Sequence, residues 1–209
     1  MKRKILTGLI VLMNVLAFSS IQAQDLEGLV EEISIEIQLD ENQKQSLEKG
    51  MIDYTKSLQQ IFDKYESGEP DPQAMLTEIK HSKEAYNKQL KKDIGKDKFK
   101  EYSAFVDQVK LEILSESAGL RLLDVQDELE MTDEQLEKMK PVLAKGMKGI
   151  LETLMEYVDK RMSVRNKLKI ANSLKAIKKE IDRESSKILS PEQIAKWNEM
   201  KEEAAEKNK

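Results

Sequence analysis

Apolar residues recur along this chain at steps of three and four, the spacing that gathers them on one face of an α-helix. Leu47, Met51, Tyr54, Leu58, Ile61 and Tyr65 form one such stripe, which the Gly- and Pro-bearing stretch from Glu66 to Pro72 breaks. Met75, Ile79, Tyr86 and Leu90 then predict a return helix, and Phe99, Tyr102, Val106, Val109 and Ile113 a third. The pattern recurs further on. Leu136, Met139, Leu143, Met147, Ile150, Leu154 and Tyr157 repeat the first stripe; Leu168, Ala171, Leu174, Ile177, Ile181 and Ile188 repeat the return helix; Ile194, Trp197 and Met200 close it. Short amphipathic pieces, residues 26–37 and 120–129, precede each copy. No Pro or Gly separates Tyr157 from Leu168, so repeat spacing places a hairpin bend near residues 160–164, with one continuous helix as the alternative.

Helix starts mark the same repeat. Leu39-Asp40-Glu41-Asn42-Gln43, Met131-Thr132-Asp133-Glu134-Gln135 and Leu189-Ser190-Pro191-Glu192-Gln193 each read as a capping box. The cap oxygen accepts from the backbone three residues on, and the Gln side chain reaches back to the cap. A fourth start, from Ile94 to Phe99, keeps an apolar pair around a glycine cap. Leu39 and Met131 stand 92 residues apart (131 minus 39), and Ile94 and Leu189 stand 95 apart (189 minus 94), so Tyr102 aligns with Trp197. Two copies of one unit follow, over residues 24–118 and 119–209. The expected fold is all-α: long antiparallel helical hairpins, coiled-coil-like, in a bundle or curved cradle.

Residues 1–23 have the parts of a secretory signal: Lys2-Arg3-Lys4, an apolar run from Ile5 to Phe18, then small residues ending at Ala23. That run falls short of the roughly 20 residues that cross a bilayer, so stable membrane insertion is not expected. The expected location is periplasmic or secreted. With no cysteine, disulfide, thiol-redox and zinc-thiolate chemistry are all excluded. Removing Lys2, Arg3 and Lys4 takes the formal charge from -4 to -7, which disfavours a nucleic-acid partner. His81, the single histidine, cannot build a transition-metal site alone, and no cofactor is expected. Neither a Gly-rich phosphate loop, nor a serine with a histidine base, nor a cleft for paired carboxylates is visible, so the chain is not expected to be an enzyme.

A signal segment followed by helical units that open and close on boxes of the Leu-Thr-x-x-Gln kind resembles the Spy/CpxP family of periplasmic proteins, also called the LTXXQ family. Residues 131–135 and 189–193 carry the match in the second half, and residues 39–43 and 94–99 a looser copy in the first. The resemblance implies an antiparallel helical cradle that binds unfolded or misassembled envelope proteins without ATP, or that modulates envelope stress. The chain differs from that pattern in holding two units, as a monomer imitating the family's dimer or as a homodimer, and in being acidic. Within it, ten basic residues against three acidic ones lie between Lys160 and Lys187. The expected client or partner contacts are Arg161, Arg165 and Lys169, which share a helical face, with Met139 and Met147 as adaptable apolar contacts. A structural or adaptor protein with one dedicated envelope partner is the alternative.

Overall fold

The computed structural model describes residues 23–66 and 71–206; the signal segment up to Gln22 lies outside them, as do residues 67–70 of the first hairpin break. The chain is all-α. Seven helices follow one another among the described residues: α1 (Ala23–Glu36), α2 (Glu41–Glu66), α3 (Pro72–Ile94), α4 (Lys96–Gln126), α5 (Asp133–Tyr157), α6 (Val164–Ser185) and α7 (Pro191–Glu206). They divide into two compact units between Lys110 and Leu111, inside α4. The third helix and the amphipathic piece at residues 120–129 are therefore largely one element. Nothing between Lys96 and Gln126 stops a helix, because the single Gly119 lowers propensity without ending it.

In the first unit α2 and α3 pair as a hairpin and α1 packs on α2. Val30, Ile33, Ile37, Leu47, Met51, Leu90, Ile94 and Tyr102 form its core. Where α2 passes to α3, Asp71 caps α3 by accepting from the Gln73 and Ala74 amides, and Pro72 fills the first turn where no donor is needed. Tyr65 Oη donates to Glu78 Oε1 at 2.9 Å, and Lys64 pairs with the same carboxylate. In the second unit α5 and α6 pair, and Leu122, Leu129, Met131, Leu136, Met139 and Leu189 form the core. A bend separates those two helices. Ser163 caps α6, accepting from the Asn166 amide at 3.2 Å, and the Ser163 amide itself donates to the Arg161 carbonyl at 2.8 Å.

The two cores are built on one plan. Each first helix ends in a turn with a left-handed residue, Gln38 (φ 54°) or Glu130 (φ 51°), 92 positions apart. After it the Leu39 amide donates to the Ser34 carbonyl, and the Met131 amide to the Gln126 carbonyl, five residues back in both. All three capping boxes are formed, with both reciprocal bonds present at Asp40–Gln43, Thr132–Gln135 and Ser190–Gln193.

The glutamines do more than cap. Gln43 Nε2 also donates to the Ile94 carbonyl, and Gln135 Nε2 to the Ile188 carbonyl, both at 3.0 Å, so each clasps the end of its return segment. Buried Gln193 donates to the Leu129 and Glu130 carbonyls at 3.0 Å and pairs reciprocally with Gln135. In the first unit Lys98 stands where Gln193 does, and its ammonium donates to the Ile37 carbonyl, the counterpart of Leu129.

Candidate protein-binding surface

Glycine decides how α5 and α6 meet. A Cβ on Gly146 would lie 2.4 Å from Ile181 Cδ1, and one on Gly149 would lie 3.1 Å from Ile177 Cδ1, so both positions admit isoleucine only because they lack a side chain. The first unit solves the same position with aromatics. Tyr54, 92 residues before Gly146, stacks on Tyr86, 95 before Ile181, with ring centroids 5.0 Å apart. Tyr86 Oη and Tyr102 Oη are 3.0 Å apart, and burial pushes the Tyr54, Tyr86 and Tyr102 hydroxyls well above the ordinary tyrosine range.

With Ile177 and Ile181 turned inward, the start of α6 turns outward a face that spacing assigned to the core. Leu168 is 57% exposed and Val164 76%; Met162, in the bend, is 47% exposed. The reason is angular. From Leu168 through Ala171 and Leu174 to Ile177 the chain advances in threes, and each step falls short of a 3.6-residue turn, so Leu168 ends on the side opposite Ile177. Leu168 and Ala171 are thus solvent-facing rather than members of the return-helix stripe, which runs instead through half-buried Ile170, Leu174, Ile177 and Ile181.

Arg165 and Lys169 are exposed on α6 beside this outward face, whereas Arg161, also exposed, lies in the bend before the Ser163 cap, so the three do not share one helical face. No acidic residue occurs from position 160 to 179, where eight lysines and arginines lie. Toward the end of α6 Arg183 pairs with Glu180, and Lys187, just past the helix, pairs with Glu184, whereas before it Lys160 pairs with Glu156 and covers the Tyr157 ring. Between those ends, Arg161, Arg165 and Lys167 form no salt bridge among the described residues, and Lys169 acts on Glu156 only at longer range. The result is an apolar strip with cations on either side, its nearest carboxylates along the chain, Glu156 and Asp159, lying before position 160.

The methionines sit elsewhere. Met139 is 0% exposed in the second core, and Met147 is half-buried on α5. Met162 is the methionine that stands beside Arg161, and its exposure depends on the bend, which no local motif announces apart from the Ser163 cap. His81 is exposed on α3, and among the described residues no group of three or more His, Asp or Glu side chains is placed to hold a metal ion. No helix among the described residues is long and apolar enough to cross a membrane. Comparison with protein-family models, with curated proteins and with solved structures finds no match.

Proposed function

We propose that this is an exported, ATP-independent protein-binding protein, chaperone-like or modulating envelope stress, that holds unfolded segments of other envelope proteins on the outward face of α6. One observation carries the reading: Val164 and Leu168 are exposed between cations in a stretch without acidic residues. The Leu-Thr-x-x-Gln resemblance supports the same role.

The chemistry suits reversible capture. Covering each exposed aliphatic side chain contributes on the order of 1–2 kcal/mol, and ordering a client opposes that gain, so contacts made here stay weak enough to release without nucleotide. The cations add encounter rate with acidic segments, an effect screened at high salt. Arg161→Glu, Arg165→Glu and Lys169→Glu together are expected to weaken suppression of aggregation of two chemically denatured clients, followed by light scattering, without changing helical content. High salt should narrow the difference between parent and variant. A parent that suppresses neither client at several-fold molar excess would sink the proposal.

A further inference from the structure

The turn from α1 to α2 and the turn from α4 to α5 match residue for residue, 92 positions apart, but the surfaces beside them differ. Lys44 and Glu31 of the first unit stand where Leu136 and Leu123 stand in the second (136 minus 44 and 123 minus 31 are both 92), and Gly28 stands where Leu120 does. In the first unit Lys44 and Glu31 form an ion pair across the turn. Leucine at these positions is therefore no requirement of the fold. In the second unit Leu120 and Leu123 are 68% and 56% exposed, on a face of α4 turned away from the core residue Leu122. Adjacent leucines so open to water mark a surface that something covers.

With Leu136 they line a groove of about 230 Å³ between the last turns of α4 and the first turns of α5, wholly inside the second unit. One end is fixed by Gln126, whose Nε2 donates to Asp133 Oδ1 at 3.0 Å. The margin is acidic: Glu116, Asp133 and Glu137 stand against one cation, Lys140, an excess of two negative charges (three minus one). Lys140 is itself held on Glu137 at 2.5 Å, and Gly119 makes room for its stem, since a Cβ there would lie 2.7 Å from Lys140 Cε. A groove of this size falls below what a drug-sized molecule fills and suits the side chains of a peptide. Each wall, Glu116 to Leu123 and Asp133 to Lys140, runs seven residues (123 minus 116 and 140 minus 133), about 10 Å at 1.5 Å per residue, or two turns of a helix laid along it. Its charge repels acidic segments and anionic headgroups and attracts lysine and arginine. We infer that the α4–α5 groove binds a basic amphipathic helix of a partner protein, whose aliphatic side chains cover Leu120 and Leu123 while its flanking cations meet Glu116 and Glu137. This partner is opposite in charge to the segments drawn to α6, and its binding does not depend on the reading of α6.

The probe is a fluorescent peptide of about 18 residues, five helical turns, with leucine on one face and lysine on the other, beside a counterpart with glutamate for lysine. Binding of each to the whole protein is followed by anisotropy. The lysine peptide is expected to bind at least tenfold more tightly than the glutamate peptide, and less tightly as salt rises. Leu120→Gln with Leu123→Gln, and separately Glu116→Gln with Glu137→Gln, should each weaken it at least tenfold; all four positions are exposed, so helical content should stay as in the parent. Val164→Gln with Leu168→Gln, on α6, should bind the lysine peptide as the parent does. Equal binding of the two peptides, undiminished binding by either groove variant, or loss of binding in the α6 variant would overturn the inference. Failure of client capture with the lysine peptide still bound at the groove would instead count against the functional reading alone.

Discussion

Gln38 and Glu130 hold the left-handed backbone region at the turn after a helix, where a side chain costs about 1 kcal/mol or more and glycine costs little. Gln38→Gly should therefore raise stability by about 0.5–1 kcal/mol in urea denaturation, the gain reduced by glycine's greater freedom in the unfolded chain. A lower midpoint would show that Gln38 makes a compensating contact. The boxed glutamines invite a second comparison. Gln193 is buried and serves two backbone carbonyls besides its own cap, so Gln193→Ala should cost about 2–3 kcal/mol; Gln43→Ala, on a less buried site, should cost about 1 kcal/mol. Equal losses would mean that the clasp adds nothing to the cap. The caps were legible in the sequence because cap and glutamine lie three residues apart. The pairing of Gln135 with Gln193 was not, since it depends on bringing together helices 58 residues apart in the chain.

Helix content, the stripes on α2 and α5 and the start positions at Glu41, Asp133 and Pro191 all follow from local pattern, as does the bend before α6 once the repeat is counted. Two features escaped it. The stretch from Lys96 to Gln126 carries one core's residues in its first half and the other's in its second, so periodicity split it into pieces although nothing in the backbone ends the helix. On α6, steps of three carried the stripe around the helix and hid the exposed face. Pairing geometry also differs between units, Tyr54 on Tyr86 in one and Gly146 under Ile181 in the other. Burial favours the neutral phenol of Tyr54, Tyr86 and Tyr102 in the folded state. Their contribution is thus complete below the ordinary tyrosine pKa near 10 and is lost as pH rises from there toward the raised folded values. An absorbance titration of the five tyrosines should show these three ionising only as the first unit's helices melt. Ionisation of all five near pH 10 with helicity intact would remove the buried cluster.

At the scale of the whole molecule, an acidic chain gathers cations without interspersed carboxylates at one helix start and leaves apolar side chains uncovered there, while Met51, Met131 and Met139 fill cores. Charge segregation was legible in the sequence from Lys160 to Lys187; which residues share the exposed strip was not, because it depends on how α6 rolls against Gly146 and Gly149. Capture of unfolded protein on that strip is the central claim. Its most direct test places a photo-cross-linking side chain at Leu168 and, separately, at Lys145, an exposed position on α5, and illuminates each with a denatured client during aggregation. Cross-links should form at position 168, fall when Arg161 and Arg165 are changed to Glu, and be scarce at position 145. Equal cross-linking at both positions, or none at 168 while aggregation is suppressed, would contradict the account.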